Sequence, residues 1–98
     1  MRIVIHVQYF FTEEGQRAFP ALLDECRELQ RGTGGFMSVR RLAPNEPERR
    51  QECHALVEFE NEAVCKAWTE SPQHDRLAAK FRQYWTRPAE VRIFNVEA

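Results

Sequence analysis

The residues able to do chemistry are concentrated in "WTESPQH", positions 68–74, which sets Trp68, a Ser71-Pro72 break and His74 within two helical turns. An indole there either stacks on a planar ligand or fills the core, since aromatic rings dominate core burial. His74 falls in the first turn after Pro72, a place where a neutral ring able to accept a proton is physically reasonable. The competing reading is an exposed first-turn histidine, a residue of only intermediate burial preference. A second polar pair, His6 and Gln8, interrupts the apolar run "RIVIHVQYF". Strand periodicity puts both on one face. A buried polar group demands a partner or a ligand, so the pair either lines a pocket or satisfies itself within the core.

Phe81, Tyr84 and Trp85 follow on one apolar stripe and read as core or pocket wall. Asn95 breaks the last apolar run, facing either the pocket or a subunit interface. His6, His54 and His74 do not form a spaced metal motif, and no CxxC exists, so no metal is expected. "GTGG" at 32–35 follows a helix rather than a strand and fails the context for phosphate binding.

These residues must be positioned by regular elements. Residues 2–10 read as a strand with Ile3, Ile5, Val7 and Tyr9 on one face and Val4, His6, Gln8 and Phe10 on the other. Both faces are largely apolar, which predicts cover on both sides. Thr12 caps a helix carrying Phe19, Leu22, Leu23, Cys26 and Leu29, bent at Pro20 and ended by Gly32, Gly34 and Gly35. "FMSVRRL", 36–42, and "CHALVEFE", 53–60, form a hairpin, the latter with Ala55, Val57 and Phe59 on one face. Asn61 caps a helix that Ser71-Pro72 interrupts and restarts, with Pro72 at its first position. Its stripe runs through Leu77, Ala78, Phe81 and Trp85 and stops at Pro88, before a last strand at 91–96.

The order β-α-β-β-α-β predicts an α+β, ferredoxin-like fold: a four-stranded antiparallel sheet with the helices on one face. The uncovered face, with Ala55, Val57 and Phe59 assigned to it, is expected to pair with a second copy, because monomers rarely expose a contiguous apolar sheet.

A chain of 98 residues forms one domain, 1–98, and at 43% apolar it is too rich to be disordered. Lys and Arg number 14 against 15 Asp and Glu, which removes any overall drive toward nucleic acid or anionic membrane. No apolar run reaches membrane-spanning length, and the opening residues lack a signal-peptide pattern. Three cysteines outside any pairing pattern point to reduced thiols and a cytoplasmic protein.

With "IVIHVQYF" at the start, "GFMSVRRL" after a Gly-rich break and "W-x-x-S-P-x-H" in the second helical region, the chain resembles the antibiotic biosynthesis monooxygenase family along essentially its whole length. The resemblance implies a dimeric α/β barrel with a pocket between each protomer's sheet and helices. It also implies a cofactor-independent monooxygenase for a small electron-rich aromatic such as a phenol, quinol or polyketide, with dioxygen as co-substrate. On that reading His74 or His6 is the base, Trp68 the stacking wall, and Gln8 and Asn95 hydrogen-bond donors, with Phe81, Tyr84 and Trp85 completing the wall. Gln8 enters because the strand-one asparagine of the haem-degrading branch falls on it, counting from Gly15. That branch's axial histidine falls on Ala78, so haem degradation is not expected. The alternative is a non-catalytic small-molecule-binding module of the same fold.

Overall fold

Nine residues of nearly continuous β-branched and aromatic character form the strand around which the rest assembles. The computed structural model describes residues 1–32 and 34–97. In chain order the elements are β1 (Ile3–Phe11), α1 (Glu13–Gln30), β2 (Phe36–Leu42), β3 (Cys53–Phe59), α2 (Glu62–Thr69), α3 (Pro72–Arg82) and β4 (Trp85–Asn95), with a 3-10 turn, Pro47–Arg49, between β2 and β3. The sheet order is β2-β3-β1-β4, every pairing antiparallel. This is the ferredoxin-like βαββαβ arrangement, its second helix split in two.

Each helix begins where a side chain satisfies a free backbone N–H. Thr12 Oγ1 accepts from Gly15 N at 3.1 Å, Asn61 Oδ1 from Val64 N at 3.0 Å, and Ser71 Oγ from His74 N at 3.1 Å. Helix α1 starts at Glu13 and continues through Pro20. Gly15 sits where a Cβ would come 2.5 Å from the Cβ of Tyr84, so only glycine lets the start of α1 approach the residues that lead into β4. Thr12 N donates to Tyr84 O at 2.9 Å across the same seam.

The core lies between the sheet and the helices. Phe19 of α1 and Phe59 of β3 are fully buried there, with Leu22, Leu23, Val39 and Ala55 around them. Three expectations are corrected at this point. Ala55, Val57 and Phe59 face the helices, not a partner copy. The alternation is as expected, but the helices cover the side that carries Ile5, Val7 and Tyr9 of β1. The open face carries Val4, His6 and Gln8 of β1, cross-strand from His54, Leu56 and Glu58 of β3 and from Glu90, Arg92 and Phe94 of β4. Leu29, expected in the apolar stripe of α1, is 41% exposed, and Gln30 is buried instead.

The third correction concerns α3. It ends at Arg82, Trp85 opens β4, and Pro88 lies within that strand rather than ending the helix. Strand β4 is at the sheet edge, with β1 as its neighbour, and its register with β1 is irregular between Gln8 and Phe10, opposite the Pro88 segment. An edge position with a register break is where a residue without an N–H is tolerated in a strand.

Candidate functional site

A cavity of about 330 Å³ lies between the helix-covered face of the sheet and α1, α2 and α3. That is the lower end of the volume range of small-molecule pockets. Its floor is the alternation of β1: Ile5, Val7 and Tyr9 all line it, as do Ala55 and Val57 of β3. Trp68 of α2 and His74 of α3 line it from the helix side, together with Phe81 and Trp85.

The "WTESPQH" stretch is the joint that sets this geometry. Ser71 Oγ donates to Trp68 O at 2.7 Å, while the same oxygen accepts from His74 N at 3.1 Å. One hydroxyl thus stops α2 and starts α3. Trp68 is buried, with its ring edge-on to His74 at 5.6 Å between centroids and to Phe36 at 5.3 Å. His74 Nδ1 is covered by protein yet has no hydrogen-bond partner; Trp85 Nε1 is in the same condition. The Asp75 carboxylate is 3.9 Å from His74 Nδ1, beyond hydrogen-bond length. Arg82, at the end of α3, is the charged side chain on the cavity wall among the described residues.

The remaining sequence candidates lie elsewhere. His6 and Gln8 project from the open face, because Val7 and Tyr9 take the cavity side of the same strand. The count from Gly15 chose the wrong half of the alternation. His6 Nε2 is 3.0 Å from His54 Nδ1, His54 Nε2 is 2.9 Å from Glu52 Oε1, and Gln8 Nε2 reaches the same Glu52 oxygen at 3.4 Å. The pair therefore finds its partners on its own sheet face, as the competing core reading allowed, with Glu52 and His54 as the added members. With Glu52 accepting, a neutral His54 carries its proton on Nε2, and His6 Nε2 is then the donor to His54 Nδ1. Burial, then His54 and Arg92, push His6 below the ordinary imidazole range. Arg49 and then His54, both bonded to the Glu52 carboxylate, hold it down at about 2.

Tyr84 is also off the cavity. It packs behind it, edge-on to Phe11 at 6.3 Å and against Gly15. Asn95 is exposed at the far end of β4, paired with Ile3. Of the polar cavity residues, Tyr9, Cys26, Thr69 and Arg82 escaped the sequence reading. Burial raises Cys26 to about 11 and Tyr9 well above the ordinary phenol range. Tyr9 was detectable: it shares the period-two face of Ile3, Ile5 and Val7. Among the described residues, no group of three or more His, Cys, Asp or Glu side chains converges as a metal site would require.

The profile of the family described as antibiotic biosynthesis monooxygenase matches residues 2–80, from β1 into α3. The chain belongs to the antibiotic biosynthesis monooxygenase family. Its structure is similar to that of Rv0793 from Mycobacterium tuberculosis, with a TM-score of 0.81 and 16% identity over 100% of this chain and 97% of that one. A conserved protein from Methanosarcina mazei Go1 gives 0.84 at 14% identity, covering 99% and 94%. A dimeric ferredoxin-like protein of unknown function from Jannaschia sp. CCS1 gives 0.82 at 16%, covering 98% and 100%. Among curated proteins, none matches this chain. The matched stretch of the monooxygenase family holds Tyr9, Trp68 and His74, while Trp85 and the whole of β4 lie beyond it. Among the described residues, no helix is long and apolar enough to cross a membrane.

Proposed function

We propose that this family member is a monooxygenase that binds a small, planar, electron-rich aromatic in the cavity and oxidises it with dioxygen. The observation that carries the reading is the apolar cavity that brings Trp68 and His74 together on one wall. Trp68 supplies a flat face for the ring. His74 takes the phenolic proton, and Arg82 favours the resulting anion. The anion is itself the reductant, so no cofactor is needed for electrons. For a naphthol the ring C–H and the O–H are lost and two C=O groups form. One oxygen atom of O2 enters the product and the other leaves as water. Incubation with a panel of naphthols and hydroquinones should give oxygen uptake above buffer and a quinone product. No uptake across the panel removes the reading.

The working unit in this proposal is the single domain 1–98 paired with a second copy through the open sheet face. There Phe94 and Leu42 are 47% and 39% exposed beside the half-buried Val4 and Leu56. The similar Jannaschia protein is described as dimeric, which supports the pairing. Sedimentation should give a dimer at micromolar concentration; a monomer overturns it. Three buried, unpaired thiols support a reducing, cytoplasmic setting.

A second reading is favoured by the position of His6, Gln8 and Asn95. With these off the cavity, fewer polar groups converge on a ligand than the oxygenase reading began with, and a module that binds aromatics without turnover needs no more. Ligand identified by mass spectrometry on the purified protein, bound but unchanged under oxygen, would select this reading.

A further inference from the structure

The cavity wall is apolar apart from Tyr9, Cys26, Thr69, His74, Arg82 and Trp85, and two of these are engaged within the protein. Cys26 Sγ accepts from Gln30 Nε2 at 3.1 Å, and Thr69 Oγ1 donates to Lys66 O at 3.2 Å. His74 Nδ1 and Trp85 Nε1 are covered by protein atoms. Tyr9 differs from Cys26, Thr69 and Trp85. Its hydroxyl makes no hydrogen bond among the described residues, and its oxygen is not among the covered, partnerless atoms. The phenol therefore meets open space, and the open space beside Tyr9 is the cavity.

Its ring is also held. Phe11 stacks on it at 5.0 Å, Phe81 packs against it at 4.9 Å, and Phe19 meets it edge-on at 5.6 Å. A side chain clamped on three sides aims its hydroxyl without losing rotamer freedom on binding, which is the condition for a preorganised donor. Burial keeps the phenol protonated throughout the working pH range, so it acts as a neutral donor and not as a base.

We propose that the Tyr9 hydroxyl is the donor that grips an oxygen substituent of the bound aromatic, so that the cavity selects phenols, naphthols and quinols over hydrocarbons of the same size. The proposal rests on the reading of the cavity as an aromatic site and adds the group that decides which aromatics enter. A hydrocarbon leaves the Tyr9 O–H without a partner in a dry wall, a cost that an oxygenated ring removes. In the oxidation above, the same hydrogen bond strengthens as the substrate oxygen becomes anionic, because bonds to charged acceptors are the stronger ones.

The test measures quenching of the protein's tryptophan fluorescence by 2-naphthol and by 2-methylnaphthalene, with wild type and Tyr9→Phe. The wild type should prefer the naphthol by about tenfold. Tyr9→Phe keeps the clamped ring; it should abolish the preference, by weakening naphthol binding and strengthening methylnaphthalene binding, and leave the thermal midpoint near wild type. A Tyr9→Phe protein that still prefers naphthol overturns the proposal, as does loss of the preference in Trp85→Phe but not in Tyr9→Phe. Equal binding of both ligands by wild type also overturns it. If neither ligand binds wild type, what fails is the aromatic-site reading beneath it.

Discussion

The two faces of β1 solve the same problem in opposite ways. On one, Ile5, Val7 and Tyr9 lie under three helices and frame a cavity. On the other, His6 and Gln8 lie under no helix, and His54 of the neighbouring strand and Glu52 just before it complete their hydrogen bonds. The face that looks more chemical in the letters is the one whose polar groups are already satisfied. The face that looks like plain core holds the unengaged groups. Histidines and glutamines mark a site only where their partners are missing, and partners across a sheet cannot be counted along one strand.

The largest expected difference between the faces is in stability. Phe59→Ala removes a fully buried ring on the helix side and should cost about 3–5 kcal/mol by urea unfolding. Leu56→Ser, on the open face, should leave the folded protomer nearly intact and weaken self-association instead, seen as a lower dimer fraction in sedimentation. A Phe59→Ala penalty below about 1 kcal/mol would break the assignment of the core to the helix side.

The next difference is in turnover. If His74 is the base, His74→Ala should lower oxygen uptake by about a hundredfold or more. His6→Ala should stay within about twofold, since its ring is on the far side of the sheet. Equal losses in both variants would place the chemistry outside the cavity described above.

The smallest effect is on pH dependence, and it sharpens the view of the open face. The folded chain disfavours a proton on His6, because of burial and then the neighbouring His54 and Arg92. The unfolded chain accepts one at about pH 6.5. Stability from the neutral ring is therefore fully present above about 6.5 and is lost as pH falls through the lower folded value. Glu52, held at about 2 chiefly by Arg49, adds a separate loss only below the ordinary carboxylate range near ~4.3. The thermal midpoint should drop slightly between pH 7.5 and 5.5, and His6→Gln should flatten that drop. A midpoint that rises over the same interval would show that protonation strengthens the His6–His54 contact.

The element order, the helix caps at Thr12, Asn61 and Ser71, and the helix break at Ser71-Pro72 were legible because each depends on neighbours in sequence. Which sheet face the helices would cover was not. It depends on how α1 and α3 return over the strands, and both faces of β1 carry enough apolar area to serve. The start of β4 was misread for a related reason. Phe81 and Trp85 keep helical spacing, but Tyr84 backs onto Gly15 and its carbonyl accepts from Thr12, a long-range bond that turns the chain into the sheet. Of the cavity, Trp68, His74, Phe81 and Trp85 were legible from their own stripe. Tyr9 shares the period-two face of Ile3, Ile5 and Val7, but its one polar tip stands out less than the side chains of His6 and Gln8 do.

Cys26, Cys53 and Cys65 are all buried, and burial raises all three thiols. They stand on α1, β3 and α2, three elements of the wall and floor around the cavity. Thiolate is the form that reacts with alkylating reagents, so the native chain should be nearly inert to them. Each cysteine then reports the opening of its own element. Labelling followed by peptide mass would separate fraying of α2 alone from exposure of Cys53 in the sheet, without a probe being introduced.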